Sequence, residues 1–184
     1  MQPIDSVNDK ILIQRYLKDE DELALRTLFQ PHEEGLFRYL WQMLKHQQDS
    51  EDALQDTFRK AIEALPRYRE ENHFKSWLFR IAHNTALEVI RRRKKIIELS
   101  ENSENLLEDP AKSPRELLAR SERTVELREA IASLPEHERS VVLLRLQEEL
   151  SFKEIAEVIG APLGTALARM HKAKERLRTK LSPA

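Results

Sequence analysis

The chain of 184 residues contains no cysteine and only three glycines. Without thiols it cannot form disulfide bonds, thiolate zinc sites or cysteine nucleophiles. The scarcity of glycine argues against β-sandwiches and barrels, which need many tight turns. A composition of 40% hydrophobic and 34% charged residues suits a helical protein instead. The sequence also lacks a signal-peptide core and any apolar run of the ~20 residues that span a membrane. We therefore expect a soluble, cytoplasmic protein.

An excess of one charge is missing as well, since the formal net charge is −1. The charges are nevertheless unevenly distributed. Residues 91–95 are all basic, the charged residues from 98 to 109 are all acidic, and residues 169–180 are again rich in basic side chains. Such blocks predict local surfaces of opposite sign, so a net charge near zero is weak evidence against a nucleic-acid partner.

A polar stretch divides the chain. From about Ile96 to Arg115 the sequence has serines, asparagines, acids and two prolines but no sustained periodicity, which indicates a flexible linker. Apolar residues on both sides recur at helical spacing, and no segment alternates convincingly as a strand. We predict an all-α fold of two small helical bundles joined by this acidic flexible linker, with divisions at residues 1–95, 96–119 and 120–184.

Four helices are predicted in the first part. The second covers Leu23 to Leu44, and Pro31 is expected to break or kink it because proline removes a helical hydrogen bond. Asp49 is the predicted N-cap of the third helix, which ends at Pro66. The fourth helix is predicted from about Phe74 to Lys95.

The most informative segment, from Leu150 to Thr165, predicts a helix, a tight turn and a second helix. Ser151 and Glu154 have the spacing of a capping box that starts the first helix. Gly160 is placed to end that helix, and Pro162 prevents its continuation. A helix-turn-helix presents its second helix to the major groove of DNA. The C-terminal bundle, which contains this motif, is therefore predicted to bind DNA.

The second helix of this motif has two faces on a helical wheel. Its predicted buried face consists of Leu163, Ala166, Met170, Ala173, Leu177 and Leu181. A separate row, suited to lie along phosphates and reach base edges, consists of Thr165, Arg169, Lys172 and Arg176. The alternative is an ordinary surface helix whose cations are favoured by its C-terminal dipole, but the preceding turn favours DNA.

A second candidate interface lies in the first part, where aromatic and basic residues are interleaved from Arg67 to Asn84. Such residues around a loop can stack on unpaired bases while holding the backbone. Phe74 and Trp77 have helical spacing and are better explained as core residues. A polar row that this core does not explain consists of Arg80, Asn84 and Arg91.

At these residues the chain resembles the extracytoplasmic-function (ECF) sigma factors of bacterial RNA polymerase. Asp49 to Ala61 is similar to the family's D-x-E-D-x-x-Q-x-x-F-x-x-A helix, and Phe74 to Asn84 is similar to its F-x-x-W-L-x-R-I-A-x-N helix. Leu134 to Val142 is similar to the opening of the family's last domain, and Ser151 to Arg178 follows its helix-turn-helix pattern. With four motifs in the right order, the chain is identified as a member of this family.

The resemblance implies a dissociable subunit of RNA polymerase that is not an enzyme and needs no cofactor or metal. Such a subunit recognises the −10 and −35 elements of promoters and helps to open the DNA, here for a stress- or signal-responsive set of genes. The linker would pass through the polymerase toward the RNA exit path. An anti-sigma factor is a further partner that the resemblance leaves open.

The resemblance also implies three sets of contacts. The clamp helices of the largest polymerase subunit would contact Asp49, Asp52, Gln55, Asp56 and Phe58. The −10 element would be bound, in part through unstacked bases, by Arg67, Tyr68, Asn72, Lys75, Arg80, Asn84, Arg91 and Arg92. The −35 duplex would be bound by Lys153, Thr165, Arg169, His171, Lys172 and Arg176.

Two positions in the recognition helix depart from the family, since Leu167 and Ala168 stand where a polar pair is common. Neither side chain can hydrogen-bond a base edge, although both can touch a thymine methyl group. Either the −35 sequence is unusual, or this domain relies more on phosphates and DNA shape.

The residues by themselves leave alternatives open. A stand-alone regulator with the same helix-turn-helix would need no polymerase-docking helix and would normally dimerise. A helical sigma mimic would sequester a partner without touching DNA. An enzyme is least favoured, because the six histidines show no ligand spacing. Glu51, Asp52 and Asp56 are better explained as acids at a helix start than as metal ligands.

Overall fold

The computed structural model describes residues 4–69, 73–99 and 122–181, and every regular element within these ranges is helical. The N-terminal lobe contains α1 (Ile4–Asp19), α2 (Glu22–Leu44), α3 (Gln47–Ala64), a 3-10 turn (Leu65–Arg67) and α4 (Phe74–Leu99). The C-terminal lobe contains α5 (Glu122–Ala132), α6 (Glu136–Leu146), α7 (Phe152–Val158) and α8 (Leu163–Leu181). The predicted all-α fold of two helical bundles is confirmed, while residues 100–119 of the predicted linker lie outside the described residues. In the described ranges, no helix has both the length and the apolar character needed to cross a membrane.

Helix α2 is central to the N-terminal lobe and packs against α1, α3 and α4. Asp21 starts it by accepting hydrogen bonds from two backbone N–H groups of the first turn. Pro31 lies inside this helix, so of the two predicted effects the break is wrong, and the kink stays a prediction. A proline removes one helical hydrogen bond, but Leu28 and Leu36 on either side of it are buried and hold both halves of the helix in the core.

Helix α3 begins earlier than predicted because His46, not Asp49, is its N-cap. The backbone of His46 is extended, and its Nδ1 accepts a hydrogen bond from the Asp49 backbone N–H at 3.2 Å. The carboxylate of Asp49 instead forms an ion pair with Arg93 of α4. Helix α4 also continues to Leu99, past its predicted end at Lys95, since neither glycine nor proline interrupts this stretch.

The turn motif in the C-terminal lobe forms as predicted. Ser151 Oγ accepts a hydrogen bond from the Glu154 backbone N–H at 3.3 Å, and Glu154 Oε2 accepts one from the Ser151 N–H at 2.8 Å. At the other end of α7, Gly160 has a φ of 61°. The N–H of Ala161 then reaches the carbonyl of Ala156 at 3.0 Å, as in a Schellman motif. Local sequence therefore sets both ends of α7.

The buried face of α8 is narrower than predicted. Ala166, Met170 and Ala173 are buried, whereas Leu163 is 48% and Leu181 is 39% exposed. These two leucines are eighteen residues apart, which is about five full turns, so they lie at the same edge of the helix. The prediction of burial is therefore wrong for Leu163 and Leu181, because this edge of α8 faces solvent.

The two lobes contact each other mainly where α7 packs against α4 and α6 packs against α2. Buried apolar side chains of both lobes belong to one continuous cluster. It includes Tyr39 and Phe79 from the N-terminal lobe and Leu144, Leu150 and Ile155 from the C-terminal lobe. The helix-turn-helix is therefore held against the helix that carries most of the predicted −10 contacts.

Candidate nucleic-acid interfaces

Helix α4 presents a polar row to solvent. The row consists of Arg80, Asn84 and Arg91, and all three residues are exposed as predicted. Phe79 and Ala82 of the same helix are buried and fix its orientation in the lobe. An amide with a basic side chain on each side is an arrangement that can hydrogen-bond a base while the cations hold phosphates.

Tyr68 packs in an aromatic cluster where α4 begins. The centroid of its ring lies 5.7 Å from that of Phe74 and 4.8 Å from that of Trp77. Phe74 is 3% exposed, which confirms its assignment to the core, and Trp77 is only half-buried. Arg67 is exposed next to Tyr68, and Asn72 lies outside the described residues.

A cavity of about 400 Å³ opens beside this aromatic cluster. It is lined by Arg67, Tyr68, Arg69, His73, Ser76, Trp77, Arg80 and Glu157. Aromatic rings beside a rim of cations can stack on an unpaired base and hold its backbone. Glu157 belongs to the C-terminal lobe, so both lobes contribute to this cavity.

His83 is a residue to which the sequence motifs assigned no role. It is buried on α4, and its Nδ1 lies 2.8 Å from the hydroxyl of Tyr39 on α2. Burial, and then the positive charges of Arg169 and Arg91, lower the pKa of His83 to about 4. The imidazole is therefore neutral near pH 7 and joins α4 to α2. Arg169 belongs to α8, so this charge acts on His83 from the other lobe.

The predicted polymerase-binding residues do not all lie on one open surface. The three exposed ones are Asp52, Gln55 and Asp56. The ring of Phe58 packs at 5.3 Å from that of Phe29, and Asp49 is engaged by Arg93. The exposed part of this predicted interface is therefore polar and acidic.

A groove of about 550 Å³ runs between α3 and α4 on this side of the lobe. It is lined by Asp49, Asp52, Ala53, Gln55, Asp56, Thr85, Glu88, Val89 and Arg92. The structure thus brings Arg92, predicted with the −10 contacts, together with the predicted polymerase contacts. Neither here nor elsewhere in the described ranges do three acidic or histidine side chains form a group that could hold a metal ion.

The outward face of the helix-turn-helix carries most of the predicted −35 residues. Lys153, His171 and Lys172 are exposed, and Thr165 and Arg169 are half-buried. Two leucines at the start of α8, one turn apart, also face solvent, since Leu163 is 48% and Leu167 is 46% exposed. Ala168, the second departure from the family pattern, is exposed as well.

Arg176 has a partner inside its own lobe. Its Nε donates a hydrogen bond to Glu138 Oε1 at 3.3 Å and lies 3.0 Å from Oε2. The side chain of Glu138 is 1% exposed, whereas that of Arg176 is 59% exposed. The guanidinium therefore compensates a buried carboxylate, a role that the row on the helical wheel does not predict.

The predicted −10 surface meets the C-terminal lobe at Lys75. Its Nζ donates a hydrogen bond to the backbone carbonyl of Glu148 at 2.7 Å and lies 3.2 Å from Oε2 of the same residue. Arg80 lines a second cavity of about 550 Å³ together with Lys153 and Glu157 of α7. Two of the predicted −10 cations thus lie against the C-terminal lobe, and Arg80 lies against the helix-turn-helix itself.

Two family matches cover these two lobes. Residues 28–96 match sigma-70 region 2, and residues 124–177 match sigma-70 region 4. The chain is 30% identical over 161 residues to the RNA polymerase sigma factor YlaC of Bacillus subtilis, covering 86% of this chain and 92% of that protein. It is also 30% identical to the ECF RNA polymerase sigma-E factor of Haemophilus influenzae, covering 97% of this chain and 98% of that protein.

Two solved structures share the fold. One is the sigma factor RpoE of Bartonella quintana in complex with the anti-sigma factor NepR, with a TM-score of 0.74, 22% identity, and coverage of 85% of this chain and 96% of that chain. The other is CnrH in complex with the cytosolic domain of CnrY, with a TM-score of 0.68, 23% identity, and coverage of 95% and 97%. At this level of identity the likeness concerns the fold.

Proposed function

Since this chain belongs to the ECF group of sigma factors, which bind core RNA polymerase and recognise promoters in transcription initiation, we propose that its two lobes read different promoter elements. The N-terminal lobe captures the opened −10 element, and the C-terminal lobe binds the −35 duplex. The observation that carries this division is the exposed row of Arg80, Asn84 and Arg91, together with the aromatic cavity that Arg80 lines. A regulator with a helix-turn-helix alone would not need this second surface.

The N-terminal lobe acts on unpaired DNA in this proposal. A base that has left the stack places its face against the half-buried rings of Tyr68 and Trp77. Asn84 then hydrogen-bonds the edge of a base, and Arg80 and Arg91 hold the adjoining phosphates. Because paired bases cannot present their faces, this surface favours the opened strand over duplex DNA.

The C-terminal lobe acts on the duplex through the outward face of α8. Lys172 and His171 are exposed there and can reach phosphates or base edges in the major groove. Leu167 and Ala168 have no polar atoms to offer, so their contacts are with thymine methyl groups. Arg176 contributes mainly by holding Glu138, and the half-buried Arg169 contacts DNA once the lobes separate.

Core polymerase docks on the exposed acidic part of α3 in this proposal. Asp52, Gln55 and Asp56 supply polar contacts to the clamp helices, and Arg92 lies on the same groove. Phe58 supports this surface through its packing on Phe29, so its substitution would affect binding indirectly. Asp49 is likewise a support, because its ion pair with Arg93 joins α3 to α4.

The test is run-off transcription with core RNA polymerase on fragments from a genome-wide map of bound promoters. Arg169→Ala should weaken binding of the holoenzyme to promoter duplex. Asn84→Ala should leave duplex binding intact but reduce the permanganate reactivity of thymines in the opened −10 region. Lys180→Ala, an exposed cation in the last turn of α8, is the control and should change neither measurement.

Two outcomes would contradict the proposal at different levels. A well-folded chain that neither binds core polymerase nor directs initiation would overturn the function itself. Identical defects in the Arg169 and Asn84 variants would overturn only the division of work between the lobes.

We extend the proposal to regulation and location. Of the two solved structures of like fold, one is a complex of a sigma factor with the anti-sigma factor NepR, and the other is a complex of CnrH with the cytosolic domain of CnrY. We propose that an anti-sigma factor also binds this chain, that the chain acts in the cytoplasm with the polymerase, and that it serves a stress- or signal-responsive set of genes. Purification of the chain from its host with and without the inducing stress should recover different partners.

A further inference from the structure

A carboxylate of the C-terminal lobe is held in a basic cradle on the N-terminal lobe. Oε1 of Glu148 accepts a hydrogen bond from Nη2 of Arg38 on α2 at 2.9 Å, and Oε2 lies 3.2 Å from Nζ of Lys75 on α4. The Glu148 side chain is 6% exposed, whereas Arg38 and Lys75 are 42% and 40% exposed. The carboxylate is therefore the buried member of the group, and the two cations remain open to solvent on their outer sides.

The backbone of α2 leaves room for this anion at Gly35, one turn before Arg38. A β-carbon at residue 35 would lie 2.9 Å from Oε2 and 3.1 Å from Oε1 of Glu148. Glycine within a helix is less favourable than alanine by about 1 kcal/mol, and here its lack of a side chain lets an anion lie against the helix. We call Gly35, Arg38 and Lys75 the anion cradle.

The anion cradle has more donors than Glu148 uses. Nε of Arg38 is buried and has no hydrogen-bond partner among the described residues. A guanidinium presents Nε and one terminal nitrogen as a fork, which matches two oxygens of a phosphate. Glu148 accepts from Nη2 with one carboxylate oxygen and pairs with Lys75 through the other. The Nε of the Arg38 fork is therefore left without an acceptor. A phosphate, with more oxygens around a tetrahedral centre, can accept from Nε, from Nη2 and from Lys75 together.

We propose that the anion cradle is a binding site for a backbone phosphate of promoter DNA, and that Glu148 occupies it when the lobes are packed together. The proposal rests on the proposed function, because it assigns the ligand of Lys75 on the −10 surface and adds Gly35 and Arg38 to that surface. DNA and the C-terminal lobe then compete for the same cations. The packed chain binds DNA weakly, and separation of the lobes frees the cradle.

The experiment compares four variants of the full-length chain in binding fluorescein-labelled oligo(dT)20, measured by anisotropy over a range of KCl concentrations. Glu148→Gln keeps the shape of the side chain but removes the charge that Arg38 and Lys75 hold. Its matched control is Glu149→Gln, an exposed neighbour. Arg38→Gln is then added to Glu148→Gln, and its matched control is Arg26→Gln, an exposed arginine on the same helix.

The Glu148→Gln chain should bind the oligonucleotide about tenfold more tightly than the wild type, because the carboxylate charge that Arg38 and Lys75 hold no longer competes with the DNA. Glu149→Gln should match the wild type. Adding Arg38→Gln should reverse most of this gain in affinity. It should also reduce the magnitude of the slope of log K against log salt concentration by about 0.7, the value for one phosphate contact of a single strand. Adding Arg26→Gln should leave both quantities unchanged.

A second measurement leaves Glu148 in place, which keeps the proposal testable if the amide variant does not fold. The chain has no cysteine, so Arg26→Cys and Lys180→Cys allow a dye pair to be placed with one dye on each lobe. Saturating oligo(dT)20 should change the energy transfer between the dyes, because the strand displaces Glu148.

The failures of the two proposals differ. If the wild-type chain directs transcription with core polymerase but Glu148→Gln binds like Glu149→Gln, or Arg38→Gln behaves like Arg26→Gln, the anion cradle is not a phosphate site. Unchanged energy transfer on binding would likewise overturn it. If no variant binds DNA and the chain does not direct transcription, the proposed function itself fails.

Discussion

At the scale of single residues, Glu138 is a charge buried in the C-terminal lobe, and Arg176 supplies the cation beside it. Breaking a fully buried pair by removing one partner costs about 3–5 kcal/mol. Because Arg176 is 59% exposed, solvent screens part of this interaction, and we expect Arg176→Ala to lower the free energy of unfolding by about 1–3 kcal/mol. Urea denaturation measures this quantity.

The control for this prediction is Lys172→Ala, an exposed position in the same helix, which should change stability by no more than about 0.5 kcal/mol. Glu138→Gln added to Arg176→Ala should recover part of the loss, because it removes the uncompensated charge. If the Arg176→Ala and Lys172→Ala variants are equally stable, Arg176 does not stabilise the lobe. Its main role would then be the DNA contact predicted from the helical wheel.

His83 gives the molecule a stability that depends on pH. Its pKa falls from 6.5 in an unfolded chain to about 4 in the folded one, so folding favours the neutral ring. By linkage, His83 contributes about 3 kcal/mol to the free energy of unfolding, and this contribution is complete above pH 6.5. It is lost as the pH falls from 6.5 toward 4, because in that range the unfolded state binds a proton and the folded state does not. Urea denaturation at several pH values should show this loss. His83→Gln should flatten the profile in that window, whereas the exposed His171→Gln should leave it as in the wild type.

At the scale of elements, the two glycines that flank the turn of the helix-turn-helix have different roles. Gly160 has a φ of 61°, and a β-carbon there would meet no atom within 4 Å, so its requirement is conformational. Gly160→Ala should lower the free energy of unfolding by about 1–2 kcal/mol, the cost of a left-handed residue with a side chain. Thermal denaturation followed by circular dichroism measures this change.

Gly164 is the matched control, because it lies in the first turn of α8, has no positive φ, and also has open space around it. Gly164→Ala should leave stability unchanged or raise it by up to about 1 kcal/mol, since alanine favours the helix. Equal effects of the two substitutions would mean that the turn does not depend on the conformation of residue 160.

The ends of elements also separate what local sequence determines from what it does not. Ser151, Glu154 and Gly160 act on backbone groups a few residues away, so their pattern predicts α7 correctly. Asp49 had an equally good capping pattern, but His46 accepts the hydrogen bond and Arg93, from another helix, engages the Asp49 carboxylate. The N-cap of a helix can therefore be predicted where the sequence offers one candidate, and local sequence does not decide between two candidates that compete.

At the scale of the whole molecule, the approach of the two lobes can be measured through His83. The charge of Arg169, from the other lobe, contributes to lowering the pKa of His83. Arg169→Gln should therefore raise that pKa, as followed by NMR titration of the imidazole, and Lys172→Gln on the exposed face should not. An unchanged pKa in the Arg169 variant would mean that the charge of Arg169 does not act on His83 across the lobes in solution.

Contacts between the lobes could not be predicted from the sequence. The helical wheel correctly placed Arg80, Asn84 and Arg91 on one exposed face of α4, because the period of the helix determines which residues share a face. Arg38 and Glu148, by contrast, are 110 positions apart, and nothing in the neighbours of either residue indicates the other. The burial of Glu138 beside Arg176 could not be predicted for the same reason. It depends on how two helices cross and not on the order of residues in either helix.

The continuous apolar cluster across the lobes has a thermal consequence. Separating the lobes exposes apolar side chains to water, and such exposure carries a positive change in heat capacity. The apolar part of the attraction between the lobes therefore weakens on cooling. We expect energy transfer between dyes on the two lobes to report a smaller packed fraction at low temperature. Cold would then loosen this chain without any partner or chemical signal.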